Sequence, residues 1–149
     1  LTTMSSVNDF LDLRTLAVVG VSRSEKKFSR RLYRTLKKRG YNVFAVNPNM
    51  DSIDGEICYE NLQSLPQKAD GAVIVVPPDQ TNKVVRDAVE AGVKHIWIQQ
   101  GAESKEAIDY CTENQINVIH DQCVLMFAEP SFPHSFHRSV LKVFGKLPK

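Results

Sequence analysis

Two rhythms of apolar positions alternate along the chain. Leu16-Ala17-Val18-Val19-Gly20 is a short apolar run ending in glycine, the pattern of a buried parallel strand. Phe28, Leu32 and Leu36 then recur at intervals of four, with Tyr33 beside them, which predicts a helix with one apolar stripe and a basic opposite face. Gly40 is placed to end that helix in the left-handed conformation, and Tyr41 to Val46 reads as a second strand. The unit then repeats. Ala72 to Val76 is a strand, Val84, Val85, Ala88 and Val89 stripe a helix, Gly92 caps it, and Val93 to Ile98 is the next strand. Ala107, Ile108 and Cys111 mark a third helix capped near Asn114, followed by a strand over Ile116 to Ile119.

Strand, helix and cap in this order, with short connections, imply βαβ units and a parallel sheet. A short extra strand is expected at Glu56 to Tyr59, with Leu62 and Leu65 on a connector. A leading helix is expected within residues 1–15, carried by Val7, Phe10, Leu11 and Leu13. Phe136, Val140 and Phe144 at helical spacing suggest a C-terminal helix at about 134–145. The expected architecture is a single three-layer, Rossmann-like α/β domain over residues 1–149, with its core at about 14–125. Its mainly parallel sheet would have strand order 3-2-1-4-5 plus a further strand.

At 149 residues, 42% hydrophobic and 24% charged, the chain can bury a core without disulfide or metal staples. No apolar run approaches the ~18–20 residues of a membrane span, so no membrane partner is expected. No basic stretch followed by an apolar core appears near residue 1, so no secretory signal is expected. The cysteines, Cys58, Cys111 and Cys123, are odd in number and form no CxxC pair, which suits a reducing, cytoplasmic setting.

The net charge of +2 hides an uneven distribution. Nine basic residues fall between Arg23 and Arg39, opposed there only by Glu25. Such a run either is a solvated helix face or attracts a polyanion, a phosphorylated small molecule or nucleic acid.

Ligands of open α/β sheets bind outside the carboxyl ends of the strands, so the segments after each strand carry the chemistry. After the first strand, Gly20 allows close approach, Ser22 and Ser29 offer hydroxyls, and Ser29 is placed to cap the following helix. With Arg23, Lys26 and Lys27 and a helix amino terminus, this forms a candidate phosphate cradle. It is neither a dinucleotide fingerprint, since Ser22 and Glu25 stand where GxGxxG needs glycine, nor a P-loop. Val46-Asn47-Pro48 follows the second strand, as a plain turn or as a polar contact at the crevice. No acidic ribose-binding residue ends that strand. Val76-Pro77-Pro78 offers a stiff apolar wall, with Asp79 or Thr81 placed to cap the next helix. Gln100-Gly101 follows the strand after that.

At Val19-Gly20-Val21-Ser22, Val46-Asn47-Pro48, Val76-Pro77-Pro78, Trp97-Ile98-Gln99-Gln100-Gly101 and Asp121-Gln122-Cys123, the chain resembles the CoA-binding domain family. That family includes small stand-alone proteins and the amino-terminal domain of the succinyl-CoA synthetase α subunit. The resemblance covers roughly Leu16 to Cys123 and implies coenzyme A, or an acyl-CoA, bound across the carboxyl edge of the sheet. It implies Gly20, Ser22 and Arg23 at phosphate, and Val46, Asn47 and Pro48 near the adenosine. It also implies Val76, Pro77 and Pro78 as a wall beside the nucleotide, and Gln100 and Gly101 toward the pantetheine arm. In the synthetase pattern a basic residue follows the proline of the second-strand turn. Here Asn49 and Met50 follow, leaving Lys26 or Lys27 as substitutes for meeting a 3′-phosphate.

No catalytic triad or paired-carboxylate arrangement stands out. His134 and His137 lack the further ligands of a zinc site. Cys123 follows a strand end, where its thiol could meet a CoA sulfur or simply pack as a small hydrophobe. The leading expectation is thus a binding protein without an evident catalytic centre. The alternatives are a nicotinamide-cofactor (NAD or NADP) enzyme, an acyl-CoA ligase component, and nucleic-acid binding through the basic helix. A homodimer or another protein partner is left open.

Overall fold

A computed structural model of the chain describes residues 4–22 and 27–128. The expected C-terminal helix at 134–145 lies outside these residues, as do Arg23 and Lys26. The described elements are α1 (Met4–Leu11), β1 (Thr15–Val19), α2 (Phe28–Lys38), β2 (Asn42–Val46), β3 (Ser52–Ile53) and β4 (Glu56–Tyr59). A 3₁₀ turn (Leu62–Ser64) follows, then β5 (Gly71–Ile74), α3 (Pro78–Glu90), β6 (His95–Gln99), α4 (Lys105–Glu113), β7 (Asn117–Gln122) and α5 (Leu125–Ala128).

Seven strands form one sheet in the order β3-β4-β2-β1-β5-β6-β7. All pairs are parallel except β3 with β4. Leaving out β3, this is the order expected from the sequence. The chain steps from β1 outward to β2 and β4, then returns to place β5 on the other side of β1, so the strand order reverses beside β1.

Strict alternation along the central strands divides the core into two layers. Leu16 and Val18 of β1, Val73 of β5, Trp97 of β6 and Ile119 of β7 face α1, α2 and α5. Ala17, Val19, Ala72, Ile74, Ile96, Ile98 and Val118 face α3 and α4. Trp97, wholly buried, anchors the first layer. It meets Phe10 edge-on at 5.3 Å between ring centroids, and its Nε1 donates to the Gln122 carbonyl at 3.0 Å, so the buried indole keeps a partner.

The helix ends follow their local chemistry. Gly40 and Gly92 take positive φ after α2 and α3. After α4 the C-cap is Asn114, but the left-handed residue is Gln115, at φ +60°. Three local expectations need correction. Phe28 opens α2 but is exposed, so the buried stripe is Leu32, Tyr33 and Leu36. Ser29 lies inside α2 rather than capping it, and the N-cap is Lys27, without a side-chain bond. Neither Asp79 nor Thr81 caps α3: the helix starts at Pro78, whose missing N–H is no loss at a first helical position. The Thr81 hydroxyl instead donates to the Ala102 carbonyl at 2.7 Å, tying α3 to the loop after β6.

The hairpin β3–β4 answers much of the basic run. Its two-residue turn is Asp54-Gly55, both with positive φ (50° and 81°), the conformation that the twist of a tight hairpin demands. The turn carries the Asp54 carboxylate to α2, where it accepts from Arg34 Nε at 2.9 Å, Arg34 Nη2 at 2.8 Å and Arg30 Nη2 at 2.9 Å. Lys37 pairs with Glu56 one strand residue further on. The hydrogen bonds from Arg34, and then those from Arg30, hold the Asp54 carboxyl well below the usual carboxylate range.

At the far end of β1 the backbone comes close to β5. Gly20 has φ +107°, and a Cβ there would stand 2.7 Å from the Val75 carbonyl oxygen and 2.9 Å from Val76 Cγ1.

Two outcomes follow from these contacts. Asp54→Asn keeps a residue that tolerates the left-handed turn while removing the charge, and should cost about 1–3 kcal/mol at pH 7. Because the folded carboxyl titrates low, its contribution is full above about pH 4, and it is lost as pH falls below that. Urea unfolding of both proteins from pH 7 down to pH 3 should therefore show a constant gap above about pH 4 that begins to narrow, without closing, below it. Gly20→Ala should cost about 1–3 kcal/mol in the same assay at any pH, since it combines backbone strain with a backbone clash.

Candidate functional site

The reversal of strand order opens a crevice at the carboxyl edge. It is a cleft of about 700 Å³, within the range of small-molecule and cofactor pockets. Gly20 and Ser22 after β1, Val46, Asn47 and Pro48 after β2, and Val76 and Pro77 after β5 all line it. Seven of the sequence-selected positions thus converge on one cavity, although they lie on three separate segments of the chain.

The other positions stand elsewhere. Lys27, Pro78, Gln100 and Gly101 are exposed and do not line the cleft. Arg23 and Lys26 lie outside the described residues. Ser29 is buried beneath the first loop, where its Oγ accepts the Ser22 N–H at 2.9 Å. The Gly20 N–H donates to the Val46 carbonyl at 3.0 Å. The amides of Gly20 and Ser22 are therefore engaged within the protein, and what Gly20 contributes is the close approach of the end of β1 to Val75 and Val76, which sets this wall of the cleft. The loop after β6 is folded on itself, with the Gly101 N–H on Glu103 Oε1 at 2.8 Å and Ala102 N–H on the Gln99 carbonyl at 2.9 Å.

Asn47 also has a role different from a plain turn residue. Its Nδ2 donates to the Val21 carbonyl at 2.7 Å and its Oδ1 accepts the Asn49 N–H at 2.8 Å. Its own N–H reaches the Tyr59 carbonyl at 2.9 Å. One side chain thus locks the turn after β2 to the loop after β1, holding two walls of the cleft in register.

Sequence reasoning missed the fourth wall. Glu60, Asn61 and Leu62, just beyond β4, line the cleft, as do Gln80, Lys83, Val84 and Asp87 of α3. The helical residues are spaced i, i+3, i+4, i+7, one face of α3 beside the buried stripe of Thr81, Val85 and Ala88. That spacing was readable once α3 was placed. The Gln63 side chain donates to the Asp87 carbonyl at 3.0 Å and joins the two halves of this wall.

The cleft's described lining is mixed in character. Val19, Val21, Val46, Leu62, Val75, Val76 and Val84 supply apolar surface, and Glu60, Asp79, Asp87 and Lys83 supply charge. No cysteine lines it. Cys58 and Cys111 are buried, and burial raises both thiols, that of Cys111 to about 12, which disfavours the reactive thiolate. Cys123 is partly buried against the Trp97 side of the core. His120 and Asp121 are bonded to each other, Nδ1 to Oδ2 at 2.6 Å, at the end of β7 and outside the cleft lining. Among the described residues no group of three or more His, Cys, Asp or Glu could hold a metal ion. No helix among them is long and apolar enough to cross a membrane.

The chain is similar to proteins that share this architecture. It is 28% identical over 126 residues to the α subunit of ADP-forming acetate–CoA ligase II of Pyrococcus furiosus, a match covering 77% of this chain and 28% of the relative. It is 32% identical over 106 residues to the ADP-forming acetate–CoA ligase of Methanocaldococcus jannaschii, covering 71% of this chain and 15% of the relative. The chain therefore spans well under a third of the length of these ligases. A solved structure of a conserved hypothetical protein from Pyrococcus furiosus superimposes with a TM-score of 0.71 at 37% identity, covering 75% of this chain and 97% of that one. Residues 14–129, which hold β1 to β7 and every wall of the cleft, match the family described as CoA binding domain, and the chain belongs to that family.

Proposed function

We propose that the protein binds coenzyme A or an acyl-CoA in the cleft beside β1, as a binding module without a catalytic centre of its own. The observation that carries this reading is the convergence of Gly20, Ser22, Asn47, Pro48, Val76 and Pro77 on one cavity at the strand-order reversal. The cavity's features match the parts of such a ligand. Gly20 and Ser22 bring the cleft to the end of β1, ahead of the amino terminus of α2, where a diphosphate would lie. Pro48, Leu62, Val76 and Val84 give a flat base an apolar bed, and Asn61 and Gln80 offer amides at its edge. When bound, coenzyme A would supply a thiol for acyl transfer. The chain's own residues would bind and orient its nucleotide end. Gln100 and Gly101, on the neighbouring strand end of the same sheet edge, would meet the pantetheine arm only beyond the cleft. The three cysteines suit a reducing, cytoplasmic setting.

The similarity to ADP-forming acetate–CoA ligases favours a second reading, in which the domain serves an acyl-CoA ligase together with another chain. Nicotinamide binding gains no such support, because Asn47 rather than an acidic residue ends β2 and is held by its own contacts. Nucleic-acid binding loses ground for an electrostatic reason: Arg30, Arg34 and Lys37 are paired with Asp54 and Glu56.

Titration calorimetry of the full chain against coenzyme A, acetyl-CoA, NAD and NADP tests the leading reading. The two CoA ligands should bind and the nicotinamide cofactors should not. Tight binding of NAD or NADP, or indifference to all four, would sink it. A coenzyme A mass retained in native mass spectra of protein purified from cells would support it directly. Co-purification of a second chain in fixed ratio would favour the ligase reading.

A further inference from the structure

We propose that Lys83 is the residue by which this cleft recognises a phosphate on the ribose, and hence distinguishes coenzyme A from dephospho-CoA. The proposal rests on the coenzyme A reading and assigns the charged end of that same site. Coenzyme A carries two anionic centres, a 5′-diphosphate and a 3′-phosphomonoester. A cleft that prefers it must meet both, at separate places.

The first place is the end of β1, at Gly20 and Ser22. Lys83 marks the second. Among the described residues that line the cleft it is the only Lys or Arg. It lies five residues into α3 from Pro78, which at about 1.5 Å per residue sets it roughly 7 Å along the helix from its start. That puts it on the α3 wall of the cleft, away from the helix start and on a different wall from Gly20 and Ser22. The 5′-diphosphate and the 3′-phosphate leave the same ribose, so a ribose held beside the apolar lining, with its 5′ side toward Gly20 and Ser22, can turn its 3′ side toward Lys83.

The surroundings leave this ammonium able to respond. Its partner is Asp87, one turn along, at 3.1 Å, and 83% of the Lys83 side chain is exposed. An exposed i, i+4 pair is weak, so the long side chain can leave Asp87 for a doubly charged phosphate. Asp87, also in the cleft lining, is held on its backbone side by Gln63, which keeps this end of the cleft fixed while Lys83 moves. Glu60, Asp79 and Asp87 also line the cleft, so among its described lining Lys83 is the one positive charge that can draw a ribose phosphate to a particular place. No other Lys or Arg among the described residues lines the cleft. Asn49 stands where the family resemblance leads one to look for a basic residue. Lys27 is exposed but not part of the lining.

The test compares two ligands across four proteins. Affinities for coenzyme A and dephospho-CoA are measured by calorimetry on the full-length chain and its Lys83→Ala, Asp87→Asn and Lys27→Ala variants. The unaltered protein should prefer coenzyme A by about tenfold, the scale of one charge-assisted contact. Lys83→Ala should bring coenzyme A down to the level of dephospho-CoA, while the dephospho-CoA affinity stays within about twofold. Asp87→Asn should widen the preference, and added salt should narrow it. A preference that survives in Lys83→Ala, or that disappears in Lys27→Ala instead, overturns the assignment and leaves the coenzyme A reading standing. Equal affinity of the unaltered protein for both ligands does the same. Failure to bind either ligand removes that reading, and the role of Lys83 goes with it.

Discussion

The constraint on which the cleft depends is the approach of two backbones at the end of β1. Gly20 sits against the Val75 carbonyl so closely that no side chain fits between them, and its φ of +107° turns the chain off the sheet at that point. The β1–β5 pairing continues up to this contact, with Val75 N–H on the Val19 carbonyl at 2.9 Å. On the other side the Gly20 N–H reaches the Val46 carbonyl. Three strand ends are thus gathered around one residue that has no volume of its own. A larger residue would push β5 away from β1 and widen the crevice at the place where its walls must stay close.

Charge is distributed by the fold in a way that the linear sequence conceals. Nine basic residues within seventeen positions look like an anion-binding face. The hairpin β3–β4 folds back over α2 and sets Asp54 between Arg30 and Arg34, with Glu56 on Lys37. Arg30 is almost wholly buried, so its carboxylate partner is a condition for the helix to lie where it does. Part of the basic run is therefore structural cement for the edge of the sheet. The acids that perform this task lie some twenty residues downstream, beyond β2, and no local window of sequence joins them to the helix.

Elements whose signal is local were legible in the sequence. The alternating apolar runs set β1, β2, β5, β6 and β7 to within two or three residues, and the helical stripes placed α1 to α4. The parallel order followed from the handedness of βαβ connections and needed no side-chain detail. Legibility failed where one segment's role is fixed by another. Strand β3 has two residues and no periodicity, although the Asp54-Gly55 pair beside it is a hairpin signal. Ser29 looked like a cap from its position, yet its hydroxyl is drawn to the Ser22 amide by the fold of the preceding loop. Phe28 fitted the spacing of the buried stripe but, as the first residue of α2, stays exposed while Ser29 and Arg30 beside it are buried. The wall formed by Gln80, Lys83, Val84 and Asp87 was read only for its buried half, because the sequence does not say which solvent-side face looks onto a cavity.

These corrections change what kind of recognition the site can perform. Asn47, the most chemically suggestive residue after β2, uses its side chain to clamp two loops, and the amides of Gly20 and Ser22 are bonded inside the protein. The inner floor of the cleft is then largely valine, leucine and proline, which favours any flat apolar group without selecting strongly among them. Directional and charged groups lie at the periphery, on α3 and on the segment after β4. Under the proposed coenzyme A reading, a site built in this way would hold the base by burial and read its substituents at the rim. Selectivity can thus change through exposed residues of one helix face while the β1–β2–β5 frame, and the glycine at its centre, stays as it is.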